Sequence, residues 1–276
     1  MTINIKGKLM DFSSPKIMGI LNITPDSFYD GGIFDSNKKI LKQVQKMLED
    51  GADIIDVGGC SSRPGSKKVT KDDEIKRVIP TIELIKSKFN EAIVSVDTFR
   101  SEVAKKAVNS GASIVNDISA GELDPNMFNC IAELGIPYIM MHMQGSPQTM
   151  QNKPIYNSVV NDIITNLSKK IFRARELGII DIVIDPGFGF GKTLEHNYQI
   201  LNDLSFFKEL DCPILVGISR KSMIYKLLNN DPKNALNGTS CLNTVALSKG
   251  ANILRVHDVK EAKEIIKLTN FLISSS

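Results

Sequence analysis

The sequence predicts an α/β protein with a (β/α)8 TIM-barrel fold, and three observations support this prediction. Eight short β-branched and apolar runs recur along the chain, segments with helical periodicity separate them, and glycines stand just before several of the runs. Eight strand–helix units in about 250 residues are typical of a closed barrel of parallel strands. The main alternative is a doubly wound open sheet, but no Gly-x-Gly-x-x-Gly follows the first run.

The eight predicted strands are apolar along nearly their whole length. This is expected of parallel strands that are covered on both faces. They comprise residues 16–24, 53–59, 92–98, 113–119, 136–143, 181–187, 213–219 and 252–258.

Helices are predicted between the strands because apolar residues recur there at helical spacing, as in Val160, Ile163, Leu167 and Ile171. Residues 70–73 resemble a capping box at a helix start. No linker or break in composition divides the chain, so residues 1–276 are predicted to form one domain. Five glycines are predicted to end helices in the left-handed conformation, namely Gly51, Gly111, Gly135, Gly178 and Gly250.

Composition excludes several function classes. With 34 basic and 31 acidic residues and a net charge of +3, the chain has neither the basic excess nor the polybasic block of a nucleic-acid or membrane surface. No apolar run reaches the length of a membrane span. The start lacks the apolar region of a signal peptide. Four distant cysteines without a Cys-x-x-Cys pair indicate a reducing compartment, so a cytoplasmic location is predicted.

Polar residues interrupt the predicted strands at their C-terminal ends. Each one taken alone is more easily explained as a cap of a loop or helix. Eight strands in succession favour a polar site, because buried charges are costly unless they are paired or used, and active sites form at this face of a barrel. These residues are Asn22, Asp56, Asp97, Asn116, Asp117, His142, Asp185, Ser219, Arg220, Lys221, Arg255, His257 and Asp258.

The residue types suggest two kinds of binding. Arginines such as Arg63 and Arg255, with His257 and Asn22, offer donors and charge that match a diphosphate. The side chains of Asp97, Asn116 and Asp185 can hold a flat heterocycle by its edge, and Lys221 can donate to the ring. No nucleophile stands beside a clear base, and no His-x-x-x-His pair occurs. The site is therefore predicted to position its ligands and to stabilise charge.

Several motifs resemble those of the dihydropteroate synthase family of pterin-binding enzymes, in family order from residue 18 to residue 257. They are MGILNITPDSF at 18–28, DVGGCSSRPG at 56–65, SVDT at 95–98, NDISAG at 116–121, MHMQG at 141–145, DPGFGFGK at 185–192, GISRKS at 217–222 and RVH at 255–257. The chain departs from the usual family pattern at Tyr29, Cys60 and Ser62, where the family commonly has Ser, Glu and Thr.

The resemblance implies a transferase of folate biosynthesis and a target of sulfonamides. It would condense 6-hydroxymethyl-7,8-dihydropterin diphosphate with p-aminobenzoate through a pterin methylene cation, with Mg²⁺ and as a homodimer. The pterin would contact Asp97, Asn116, Ile118, Met140, Asp185, Phe190 and Lys221, and the diphosphate Asn22, Ser61, Arg63, Arg255 and His257. Phe28, Ser62, Pro64, Phe190 and Ser222 would hold p-aminobenzoate, and Asn22 the metal. The catalytic residues would be Asp97, Asp185, Lys221, Arg255 and His257.

Two other functions remain open from the sequence. A methyltetrahydrofolate–corrinoid methyltransferase would share the barrel and the pterin-binding residues, but it has no diphosphate to bind, which Arg63, residues 219–221 and residues 255–257 argue against. An inactive pterin-binding relative is the second, and the complete loop motifs argue against it.

Overall fold

The structure, a computed structural model, describes residues 1–23, 32–60, 69–145 and 154–275. It opens with an antiparallel hairpin of two short strands, β1 (Thr2–Ile5) and β2 (Lys8–Asp11). Lys6 and Gly7 connect them with φ angles of 50° and 88°, as a two-residue turn with both central φ angles positive requires. This hairpin was not predicted from the sequence.

Eight further strands lie parallel and form a nearly closed barrel, which confirms the predicted fold. The order around the sheet is β8-β7-β6-β5-β4-β3-β10-β9, and a parallel bridge between Ile184 and Ile214 joins its two ends. All eight lie within the predicted runs. The strands are β3 (Lys16–Asn22), β4 (Ile54–Gly58), β5 (Val94–Asp97), β6 (Ile114–Asp117), β7 (Tyr138–Met141), β8 (Ile182–Asp185), β9 (Leu215–Val216) and β10 (Ile253–Val256).

Helices cover the outer face of the barrel. Thr70 caps one of them as predicted, since its Oγ1 accepts from Asp73 N at 3.1 Å, and the five predicted helix-ending glycines all have positive φ. Two 3-10 segments, Leu204–Leu210 and Pro232–Asn234, add to the α-helices. The described helices are α1 (Gly32–Glu49), α2 (Lys71–Lys88), α3 (Ser101–Asn109), α4 (Met127–Leu134), α5 (Val159–Glu176), α6 (Leu194–Asn202), α7 (Ser222–Tyr225), α8 (Leu236–Ser248) and α9 (Val259–Ser274).

The hairpin covers the N-terminal end of the barrel. Ile3, Ile5, Met10 and Phe12 alternate with exposed residues and form one buried cluster with the first inward-facing level of the barrel. Because this end is filled with apolar side chains, the C-terminal end remains for a polar site. The barrel residues of the cluster are Met18, Ile54, Ile114, Ile139, Val183, Leu215 and Ile253, with Ile93 packed against them.

None of the helices in the described part of the chain combines the length and the apolar character needed to cross a membrane.

Candidate functional site

Strand alternation determines which of the polar residues enter the barrel. Side chains two residues apart along a strand point to the same side of the sheet. The buried apolar residues at the N-terminal end of the barrel form its first inward-facing level, so the positions two and four residues further along each strand form a second and a third level. The predicted site residues of the second level are Asn116, Asp185 and Arg255, and those of the third level are Asn22, Asp97, Ile118 and His257.

An ion-pair network occupies the barrel axis. Arg255 Nε donates to Asp56 Oδ2 and Arg255 Nη2 donates to Asp97 Oδ2, both at 2.7 Å. Asn116 Nδ2 donates to the same Asp56 oxygen at 3.1 Å. The side chain of Asp56 is fully buried, whereas those of Asp97 and Arg255 are 14% and 19% exposed. The network therefore combines one fully buried carboxylate, Asp56, with two partly exposed groups, Asp97 and Arg255.

Burial and these neighbours shift the ionisation of the network. Burial raises the pKa of Asp97 to about 7, although Arg255 acts in the opposite direction. Burial alone would lower the pKa of Arg255, but Asp56 and Asp97 raise it above its usual range, so Arg255 remains a cation. A carboxyl with a pKa near neutrality beside a fixed cation is an arrangement found at functional sites.

Asp185 and Lys221 lie on the opposite side of the mouth. Asp185 Oδ1 accepts from Gly187 N at 2.7 Å, and burial raises the pKa of Asp185 against the effect of Lys221. Lys221 Nζ donates to Phe188 O at 2.6 Å and lies 4.8 Å from the ring centre of Phe190. Burial lowers the pKa of Lys221 to about 8, opposed by Asp185. The lysine can therefore change protonation state near neutral pH.

Two of the residues predicted to contact the pterin, Ile118 and Phe190, lie in the apolar wall of the mouth, whereas the third, Met140, does not, and Met141 lies there instead. Ile118, Met141, Met143 and Phe190 form one buried cluster, while Met140 packs in the layer between the barrel and the helices. A shift of one residue along a strand moves a side chain to the other face of the sheet. The motif alone did not distinguish the two methionines.

The rim carries Asn22, His257 and Ser222. Asn22, Gly58, Asp97 and Asn116 are consecutive partners across four strands. A side chain at Gly58 would begin 3.3 Å from Asn22 Oδ1 and 3.6 Å from Asp97 Oδ2, so glycine keeps the space between them open. His257 Nδ1 lies 3.0 Å from Ser219 Oγ, and Ser222 is the half-buried first residue of α7.

Other polar residues at strand ends have structural partners. Asp117 accepts from Tyr138 Oη at 2.6 Å and from Ser119 and Gly121 N at 2.8 Å. Arg220 donates to both oxygens of Asp258, at 2.8 and 2.9 Å. The simpler explanation, a structural cap or clamp, therefore accounts for both residues. Arg220 consequently gives no support to a diphosphate site.

His142 also has a partner, Lys192, which is the last residue of the motif at 185–192 and was not predicted as a site residue. Lys192 Nζ lies 3.1 Å from His142 Nδ1 and donates to Phe190 O at 3.0 Å. Burial lowers the pKa of Lys192 to about 7 and that of His142 to about 2, so this histidine is neutral. The pair ties the loop that carries Phe190 to the end of β7.

Five predicted site residues lie outside the described ranges, namely Phe28, Ser61, Ser62, Arg63 and Pro64. Cys60 immediately precedes four of them and is half-buried. Its Sγ lies 3.6 Å from Arg100 Nη1, and burial raises the pKa of the thiol to about 12. Its contact is therefore with Arg100, the residue just before α3.

The predicted magnesium ligand, Asn22, lies within the described ranges. No group of three or more His, Cys, Asp or Glu side chains there is arranged to hold a metal. Asn22 presents Oδ1 toward the open space at Gly58. Because Mg²⁺ commonly binds one or two protein oxygens together with substrate phosphates and water, the arrangement fits a metal that is held mainly by a diphosphate.

Comparison with known proteins identifies the family. The model of the family described as pterin binding enzyme matches residues 18–257. The dihydropteroate synthase of Escherichia coli K12 is 44% identical over 98% of this chain and 96% of its own length. The Yersinia pestis dihydropteroate synthase, solved with a sulfonamide drug, superimposes with a TM-score of 0.93 at 40% identity and full coverage of both chains.

A further structural relative is the dihydropteroate synthase of Xanthomonas albilineans. It was solved with 4-aminobenzoic acid and with 7,8-dihydropteroate. The complex with dihydropteroate has a TM-score of 0.89 at 34% identity and covers 99% of both chains. The chain thus belongs to the pterin-binding enzymes, in the dihydropteroate synthase family.

Proposed function

We propose that the chain condenses 6-hydroxymethyl-7,8-dihydropterin diphosphate with p-aminobenzoate to give 7,8-dihydropteroate and diphosphate, in folate biosynthesis. The observation that carries the proposal is the set of acceptors and donors that converges at the barrel mouth. Asp97, Asn116, Asp185 and Lys221 come from four different strand ends, and the apolar wall with Phe190 lies beside them. Such a slot suits a flat ring with polar edges.

In this proposal the ring is held by its edges. The carboxylates of Asp97 and Asp185 accept from ring N–H and amino groups, while Asn116 can both donate and accept. Lys221 donates to a ring oxygen or nitrogen. Phe190 and Met141 contact the apolar part of the substrates. The wall is therefore assigned to packing, and the polar residues are assigned to orientation and charge.

The reaction begins, in this account, with cleavage of the bond between the methylene carbon and the diphosphate oxygen. The bonding electrons leave with the diphosphate, and the positive charge on the methylene carbon is delocalised over the pterin nitrogens. The amine of p-aminobenzoate then donates its lone pair to that carbon and releases a proton. Asp97 and Asp185 stabilise the cation electrostatically, and Arg255 and His257 stabilise the leaving group.

Magnesium, with Asn22 as its proposed protein ligand, would neutralise part of the charge on the leaving diphosphate. Arg63, which lies outside the described ranges, is proposed to contact the diphosphate as well. The arylamine is already neutral at pH 7, so the mechanism requires no strong base.

Product formation from the two substrates tests the proposal. Formation of dihydropteroate that requires both the pterin diphosphate and p-aminobenzoate would support it. Pterin binding without turnover would instead indicate a binding protein, and methyl transfer to a corrinoid protein would indicate the methyltransferase. Positional-isotope exchange in the diphosphate without the amine would support dissociation before attack, and its absence in turnover-competent protein would argue against it.

We also propose that residues 1–276 form one domain, because Asn4 N near the start donates to Asp181 Oδ1 at 2.8 Å and Asn270 Nδ2 near the end donates to Ser14 Oγ at 3.2 Å. The homodimer and the cytoplasmic location stay predictions.

A further inference from the structure

Asp56 connects the pterin-binding and diphosphate-binding residues proposed above. It lies on β4, and its Oδ2 accepts from Arg255 on β10 and from Asn116 on β6, at 2.7 and 3.1 Å. Neither of those strands is a neighbour of β4, since β3 and β5 stand between them. The carboxylate therefore reaches across the barrel interior in both directions, and its side chain is fully buried.

We propose that Asp56 is a positioning residue that holds Arg255 and Asn116 in a fixed arrangement relative to each other. Arg255 is the proposed donor to the diphosphate, and the amide of Asn116 is proposed to bind the edge of the pterin. The proposal rests on the proposed function. Asp56 acts through these two partners and is not itself assigned a contact with substrate.

Two features explain why a carboxylate stands at this position. A guanidinium in the barrel interior needs a buried counter-charge, and Asp56 supplies one to Arg255 Nε while Asp97 takes Nη2. The same oxygen fixes the orientation of the Asn116 amide, because Nδ2 is engaged with Asp56. Asn116 Oδ1 then points away from Asp56, and it is the atom that can accept a hydrogen bond from a donor on the ring edge.

Asp56 also contributes to the electrostatic environment of Asp97. The charged groups that act on Asp97 are Arg255, which lowers its pKa, and the carboxylates of Asp56, Glu74 and Asp117, which raise it; Lys221 also interacts with it. Replacing Asp56 by asparagine removes one like charge and leaves the others in place. The pKa of Asp97 must then fall from its value of about 7.

Two substitutions separate the charge of Asp56 from its position. Asp56→Asn keeps the shape and removes the charge, whereas Asp56→Glu keeps the charge and displaces it by one methylene. Asp53→Asn is the matched control, because Asp53 lies just before β4 at the other end of the barrel and accepts from Ile17 N at 2.8 Å. Each purified protein would be assayed for kcat and KM with both substrates across a pH range.

Asp56→Asn is expected to reduce kcat/KM for the pterin diphosphate on the order of ten- to a hundredfold, as for a lost hydrogen bond to a charged group. The KM for p-aminobenzoate should stay unchanged. The acid limb of the pH profile of kcat/KM, which reports protonation of Asp97, should move to lower pH. Asp56→Glu should reduce kcat/KM but leave the acid limb in place. Asp53→Asn should change neither.

Wild-type kcat/KM with an unmoved acid limb in Asp56→Asn would overturn the proposal, as would a loss that Asp53→Asn reproduces at equal stability. A measurement on ligand-free protein keeps this test separate from the proposed function. Because the pKa of Asp97 is raised in the folded state, stability falls as pH rises toward 7. In Asp56→Asn this fall in stability should end at a lower pH than in the wild type. An identical pH dependence of stability in the two proteins would refute the network, even if the protein had no activity.

Discussion

Removal of the Arg255 guanidinium offers a quantitative test of the barrel network. Arg255→Met retains most of the side-chain volume but leaves Asp56 and Asp97 without their shared cation. Removing one partner of a buried ion pair typically costs about 3–5 kcal/mol, because the remaining charge is uncompensated. Arg255 is 19% exposed, which places the expected loss near the lower end of that range, at about 3 kcal/mol at neutral pH or above.

The loss should depend on pH in a defined direction. Arg255 lowers the pKa of Asp97, which is about 7 in its presence, so that pKa rises when the cation is removed. A carboxyl whose folded-state pKa is raised stabilises the fold at low pH, and this stabilisation is lost as pH rises through that pKa. The deficit of the variant should therefore be about 3 kcal/mol at about pH 8 and smaller by about 1 kcal/mol at about pH 5, because the two proteins differ in the ionisation of Asp97 only above its wild-type pKa of about 7.

Urea unfolding of wild type and variant at these two pH values would measure the deficit. Arg255→Lys serves as the control, because it keeps a cation near the two carboxylates but loses the paired N–H geometry. Its deficit should be smaller and should change less with pH. An Arg255→Met deficit that is the same at both pH values, or that shrinks as pH rises, would refute the assignment of a raised pKa to Asp97.

Three further predictions follow from the described contacts. Ile3→Ala, in the hairpin that covers the barrel floor, should lower the free energy of unfolding by about 2–5 kcal/mol in urea titrations while kcat is retained; an unchanged midpoint would mean that the hairpin does not close the barrel. The value of kcat/KM for the pterin diphosphate should fall below a pH of about 7, where Asp97 gains a proton, and above a pH of about 8, where Lys221 loses one. In Lys221→Arg only the fall at high pH should move, to higher pH. Lys192→Met should leave the carbonyl oxygens of His142 and Phe190 without this donor, at about 1–3 kcal/mol each; a thermal midpoint equal to that of the wild type would contradict this role.

Most of the fold follows from local sequence patterns. The eight barrel strands were predictable because parallel strands covered on both faces must be apolar along their length. The N-terminal hairpin was missed because the alternation of polar and apolar residues at 1–12 was interpreted only as evidence against a signal peptide, although such alternation is also typical of half-buried strands. Its turn at Lys6-Gly7 gives only a weak signal, since glycine supplies just one of the two positive φ angles.

That polar residues gather at the C-terminal end of the barrel could be predicted from the sequence, but the direction in which each side chain points could not. Asp97 and Asp117 are the same residue type at neighbouring strand ends, yet Asp97 faces the mouth and Asp117 binds Tyr138. The two side chains point to opposite faces of the sheet. For β6, Ile114 at the N-terminal end of the barrel faces inward, so alternation along the strand places Asp117 on the outer face. The contact between Asp56 and Arg255 joins residues 199 positions apart, and no local pattern reports such a contact.

The most direct test of the proposed function is the rate of dihydropteroate formation by four matched variants. Asp185→Ala and Lys221→Ala remove groups at the mouth, whereas Asp181→Ala removes a carboxylate near the other end of β8 that accepts from Asn4 N, and Lys226→Ala removes an exposed lysine just after α7. We predict product formation that requires both substrates, is lost in the first two variants and is retained in the last two. Equal rates in all four, or no product from folded wild-type protein, would contradict the account.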